Sequence, residues 1–152
     1  MSRAPQPGPA ARARTDRHPA QYLALAVGAI YLLVGLAGFL VTGFDGFAAP
    51  EGDLLLGFEV NPLHNIVHLL IGAAGLALWN RLDRARTFGW LLAGVYGVTF
   101  VYGLFVANSD EPANFLALNQ ADNVLHLVSA LAGLAIALWP ARDRSPAARA
   151  TR

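Results

Sequence analysis

Apolar residues in this chain are gathered into four long stretches: Tyr22–Thr42, Pro62–Trp79, Phe88–Ala107 and Asp122–Trp139. Apart from Asp122 at the very start of the fourth, none of them contains Asp, Glu, Lys or Arg. A hydrocarbon core of about 30 Å needs roughly 20 mostly apolar helical residues. None of the four shows the polar face of a helix that packs on a water-soluble core. The pattern predicts an all-α protein, a four-helix transmembrane bundle. The second and fourth spans are the shorter ones and carry histidine. In the first loop, Leu54–Phe58 reads as a short interfacial helix, with Phe44, Phe47 and Phe58 as interface anchors.

Composition and charge orient the spans. Of 152 residues, 55% are hydrophobic and 14% charged, and the mean hydropathy is +0.44. Every basic residue is Arg. Arg3, Arg12, Arg14 and Arg17 precede the first span, Arg81, Arg84 and Arg86 fill the second loop, and Arg142, Arg144, Arg149 and Arg152 follow the fourth span. The other two loops carry only acidic charges, Asp45, Glu51, Asp53, Glu59, Asp110 and Glu111. Cytoplasmic flanks are enriched in Arg and Lys, so both termini are expected in the cytoplasm of a bacterial cell, with the chain multi-pass in the inner membrane. The first apolar run is longer than the 7 to 15 residues of a signal-peptide core and reads as a retained span. Residues 20–140 form the expected transmembrane domain, and the Pro-, Ala- and Arg-rich segments 1–19 and 141–152 are expected to be disordered tails beside anionic headgroups. The lipid bilayer is the expected partner, and a nucleic-acid role is the weaker reading of so few Arg. The absence of Cys removes disulfides, thiolate metal sites and cysteine nucleophiles.

A self-comparison pairs two of the spans. Residues 61–78, NPLHNIVHLLIGAAGLAL, lie over residues 119–136, NQADNVLHLVSALAGLAI, with eight identities in eighteen positions and no gap. Asn61 matches Asn119, Asn65 matches Asn123, His68 matches His126, and Ala74-Gly75-Leu76-Ala77 matches Ala132-Gly133-Leu134-Ala135. Both segments run from outside to inside. The fold expected is therefore two helical hairpins repeated in parallel about an axis along the membrane normal.

These segments also hold the candidate chemistry. On a helical wheel Asn61, His64, Asn65, His68, Gly72 and Gly75 share one face, as do Asn119, Asp122, Asn123, His126, Ala130 and Gly133. In lipid such stripes turn toward protein, so spans two and four should face each other or a shared central cavity. The resulting polar cluster is His64, Asn65, His68, Asp122, Asn123 and His126. Its simplest role is structural or accessory. Asn61 before Pro62 reads as an N-cap, and Asn119 with Asp122 as a capping box. His68 and His126 would then bond Asn123 and Asn65 across the contact and fix register, and no cofactor would be needed. The alternative is a proton or small-solute path, or a cofactor site. A divalent metal would be held by His64, His68, Asp122 and His126; a b-type haem would lie between His68 and His126. Tyr96, Thr99 and Tyr102 would extend such a cavity. An enzyme is the least supported class, since Ser109 and Ser129 have no triad spacing around them and no phosphate loop, nucleophile elbow or zincin helix occurs. A homo-oligomer could form through Gly28 and Gly35 or through Ser129, Gly133 and Ala137.

The segments LGFEVNPLHNIVHL (from Leu56 to Leu69) and ANFLALNQADNVLHL (from Ala113 to Leu127) resemble the actinobacterial membrane family catalogued as domain of unknown function 4383. The resemblance covers about residues 20 to 140. It implies a small four-helix membrane protein and brings no biochemical activity with it.

Overall fold

The computed structural model describes residues 17–141, and the two expected tails lie almost wholly outside the described residues. Four helices form where the apolar stretches stand: α1 (Pro19–Thr42), α2 (Pro62–Leu78), α3 (Leu82–Val106) and α4 (Gln120–Leu138). Three of them, α1, α3 and α4, are long and apolar enough to cross a membrane. The 17-residue α2 is shorter, about 26 Å at 1.5 Å per residue.

Local chemistry sets the boundaries. Pro62 fixes the first turn of α2, and Asn61 Oδ1 accepts the His64 N–H at 2.9 Å. Asn119 opens α4 with a capping box, its Oδ1 accepting the Asp122 N–H while Asp122 Oδ2 accepts the Asn119 N–H. α3 begins at Leu82, six residues before the expected span. Arg84 and Arg86 therefore stand in its first turns, and the second loop shrinks to Trp79–Arg81. A hydropathy window stops at charge, whereas backbone hydrogen bonding continues into polar surroundings.

The first long loop departs from expectation. Instead of an interfacial helix, β1 (Asp53–Leu55) and β2 (Phe58–Val60) form an antiparallel hairpin, with Leu55 opposite Phe58. Its turn residues Leu56 and Gly57 have φ of 56° and 93°. Two consecutive positive φ values make the tight turn whose twist matches paired strands, and they are incompatible with a helix.

Helices pack as two intimate pairs, α1 with α2 and α3 with α4. A Cβ on Gly28 would stand 2.9 Å from the Gly75 backbone, and one on Gly133 2.5 Å from the Ala93 nitrogen. Asn65 of α2 lies in the niche left by Gly38 of α1, and Asn123 of α4 in that left by Gly103 of α3. Gly28, Gly35, Ser129, Gly133 and Ala137, the residues of the two ridges that the sequence offered for self-association, are buried within the chain's own bundle. α2 and α4 scarcely touch along their backbones. They face each other across the bundle centre through side chains.

The two ends of the bundle differ. Near the end that carries Arg17 and Ala141 the core is apolar, with Ala20, Ala24, Ile71, Phe88, Leu92 and Ile136 all buried. His18 closes it: Nδ1 accepts the Ala20 N–H at 3.3 Å, which leaves Nε2–H to donate to the Pro140 carbonyl at 2.8 Å. Gln21 Nε2 donates to the Trp79 carbonyl and Arg86 to the Trp139 carbonyl. At the loop end, by contrast, buried polar residues fill the centre.

Candidate functional site: a buried histidine cluster

The cap of α2 places the site. With Asn61 at N-cap, His64 falls at the third helical position and His68 one turn further, so both rings leave the same face. In α4 the same count puts Asp122 third and His126 one turn on. The helix starts are held over one another by reciprocal ties. Asn61 Nδ2 donates to the Phe115 carbonyl in the loop before α4, and Asn119 Nδ2 donates to the Gly57 carbonyl in the hairpin before α2, both at 2.9 Å. Each asparagine thus caps its own helix with the oxygen and binds the other half of the chain with the nitrogen.

His64, His68 and His126 come together at the centre, exposed by only 2%, 2% and 1%. One ring nitrogen from each lies within 4.8 Å of the other two. The His64 and His68 ring centroids are 4.4 Å apart, and those of His64 and His126 5.8 Å. Two tyrosines wall the cluster: Tyr31 stacks edge-on against His68 at 5.1 Å, Tyr96 lies 5.3 Å from His126, and the two tyrosine rings are 5.0 Å apart. Ser129 donates to the Leu125 carbonyl at 2.8 Å, so its single proton is committed and the Tyr31 hydroxyl donates to Ser129 Oγ at 2.5 Å.

What distinguishes the cluster is unused hydrogen-bonding capacity. His64 Nδ1, both ring nitrogens of His68, His126 Nδ1 and Tyr96 Oη are buried without a partner. A buried polar atom left unpaired costs about 1–3 kcal/mol, and native proteins keep such atoms rare. Here they belong to four neighbouring rings.

The remaining candidates separate from this group. Asp122 Oδ2 accepts the backbone N–H groups of Asn119 and Glu59, each at 3.1 Å; it caps α4 and pins the hairpin. Asn65 Nδ2 donates to Thr42 Oγ1 at 3.0 Å, and the Asn65 and Asn123 side-chain oxygens have no partner. The bonds expected from His68 to Asn123 and from His126 to Asn65 are not formed. Each asparagine is instead held in its own hairpin by the glycine opposite. The sequence pointed to Tyr96 as a wall of the cavity, but Tyr31 and Ser129 went unrecognised. Their only signal is a hydroxyl at mid-span depth in an apolar helix.

Cavities beside the cluster measure about 210 Å³ and 60 Å³, and both are lined by His68. Pockets that hold drug-sized ligands run from about 300 to 1,000 Å³. A porphyrin therefore has no room between His68 and His126, where His64 also stands. A single ion among three imidazoles needs no such cavity.

A family profile described as "Domain of unknown function (DUF4383)" matches residues 21–139. The chain belongs to this family. The DUF4383 region runs from the first turn of α1 to the residue after α4, and so takes in the whole bundle and all three histidines. No curated protein and no solved structure matches the chain.

Proposed function

We propose that this protein is a bacterial inner-membrane protein whose working part is a three-histidine centre, built from His64, His68 and His126, that binds one divalent transition-metal ion. Both termini lie in the cytoplasm and the centre lies toward the outer leaflet. Support for this orientation comes from Arg17, Arg81, Arg84 and Arg86, the Arg among the described residues, which stand at the end of the bundle carrying Trp79 and Trp139. Large exposed apolar side chains cover the helices, among them Leu33, Leu40, Leu70, Val98 and Leu104, as a lipid-facing surface requires. The two hairpins are read as copies of one ancestral hairpin, on the grounds of the Asn65–Gly38 and Asn123–Gly103 niches as well as the sequence match.

One observation carries the metal reading: three buried imidazoles bring one ring nitrogen each within 4.8 Å of the other two, and every ring has at least one unpartnered nitrogen. Neutral imidazole suits Zn, Cu, Fe and Ni. Three protein ligands leave a fourth position open, the arrangement of reactive metal sites as opposed to closed structural ones. An ion held at about 2.0–2.1 Å from each nitrogen would draw the rings together by rotation about their side-chain bonds. The caps of the structural reading form at Asn61 and Asn119, but the His–Asn bonds it expected do not, and it leaves the imidazole nitrogens unpaired. A proton path would need polar groups at the cytoplasmic end of the centre, where Ile71, Phe88, Leu92 and Ile136 are packed instead.

The test is titration of the chelator-treated, purified protein with Co²⁺, followed by visible absorption and elemental analysis. One Co²⁺ per chain with a d–d band is expected, abolished by His68→Ala and retained by Asp122→Asn. A folded protein that binds no ion, or binds it equally well as His68→Ala, overturns the proposal.

A further inference from the structure

An ion among the three rings gives one nitrogen of each a partner and leaves two things over, a charge and a proton. The charge is the ion's own. His64, His68 and His126 enter as neutral imidazoles, because a ring must keep a bare nitrogen to serve as a ligand. Asp122, the one buried carboxylate among the described residues, is drawn to the backbone N–H groups of Asn119 and Glu59 and not to the rings. A doubly charged ion therefore keeps its charge in the interior of the bundle, where surroundings of low dielectric penalise a charge that nothing offsets.

The proton is that of Tyr96. Its ring lies 5.3 Å from that of His126, the residue is 1% exposed, and its hydroxyl has no partner. Tyr31 also walls the cluster, but its proton goes to Ser129, whose own proton goes to the Leu125 carbonyl. Of these three hydroxyls Tyr96 alone has a proton left to give. The partnerless side-chain oxygens of Asn65 and Asn123 do not take it, because they are turned toward Gly38 and Gly103 in their own hairpins.

We infer that the fourth position on the ion is filled by a small monovalent anion, which accepts a hydrogen bond from the Tyr96 hydroxyl. This anion site rests on the metal reading and gives it a co-ligand. Charge and hydrogen bonding call for the same occupant, a group that is negative and has a lone pair to spare. Water brings the lone pair without the charge. The His64 centroid lies only 4.4 Å from that of His68 and 5.8 Å from that of His126, so the anion is one of a few atoms, such as a halide or azide. Hydrogen bonds to an ionised acceptor are about twice as strong as neutral ones, and Tyr96 thereby favours an anion over a neutral ligand at the open position.

The purified full chain, loaded with Co²⁺, is titrated with sodium azide and followed by the d–d band and by the infrared antisymmetric stretch of bound azide. One azide per Co²⁺ is expected. Tyr96→Phe should weaken azide binding by about tenfold or more and shift the stretch, with Co²⁺ affinity unchanged. Tyr31→Phe, which removes a proton already committed to Ser129, should leave azide affinity near that of the native chain, as should Thr99→Val in the next turn of α3. Neutral acetonitrile, similar in length to azide, should leave the band unmoved. A Co²⁺ band indifferent to azide, azide bound as tightly by Tyr96→Phe as by the native chain, or an equal response to acetonitrile overturns the anion site and leaves the metal centre standing. Loss of Co²⁺ itself in Tyr96→Phe also overturns it, by making the phenol oxygen the fourth ligand. A native chain that takes up no Co²⁺ overturns the metal centre and the anion site together.

Discussion

The starts of α2 and α4 are built alike and used differently. Each opens with an asparagine cap, each places an asparagine four residues on in a glycine niche of its partner helix, and each turns a histidine inward at the next turn. They part at the third helical position. In α4 it is Asp122, whose carboxylate closes the capping box and holds Glu59. In α2 it is His64, a residue that cannot complete the box in this way and whose ring reaches the cluster. One framework thus supplies a fastening on one side and a ring of the histidine cluster on the other. The cluster is consequently asymmetric, two imidazoles from α2 and one from α4.

That contrast can be broken by experiment, and the largest effect should come from the ligand side. His64→Ala should reduce Co²⁺ affinity by more than about 100-fold, beyond the 10–100-fold typical of changes around a ligand; retention of affinity in the titration would show that His126 and His68 suffice. Next come the niches: Gly38→Leu and Gly103→Leu should each destabilise the protein by about 1–3 kcal/mol through overpacking. Similar losses in unfolding from detergent are expected, because the same asparagine is displaced in each hairpin, and a large inequality would show that the scaffold is not symmetric. Asp122→Ala should cost about 0.5–2 kcal/mol as a lost cap, with Co²⁺ binding unchanged; a fall in metal affinity would return Asp122 to the ligand set. The smallest effect belongs to the hairpin over the site. Leu56→Gly relieves a positive φ of 56° and should raise stability by about 0.4–1 kcal/mol if the turn persists, read as a shift in the thermal midpoint.

Much of this was legible along the chain. Helix number, the caps at Asn61 and Asn119, and the i, i+4 spacing of His64 with His68 all rest on interactions that span a turn or less, which sequence order encodes directly. The 17-residue length of α2 was legible too, since Pro62 starts it and polar Asn80 follows it. The hairpin at Asp53–Val60 was harder to read, because two three-residue strands are too short for a period to show and Leu56 is an unusual residue at positive φ.

The tertiary structure decided which of the polar residues meet. Sequence order put Asp122 and His126 on one helix face, yet only His126 reaches the cluster, because Asp122 is drawn to backbone N–H groups at Asn119 and Glu59, the latter 63 residues away. It likewise held each asparagine in its own hairpin, where a missing Cβ on a neighbouring helix made room, and left His64 Nδ1, His126 Nδ1 and both nitrogens of His68 unpartnered. Local hydrogen bonding and hydrophobic length fix the elements and their ends. The pairing of groups across the bundle depends on close approach between helices and on competition for donors, which no periodicity in the sequence records.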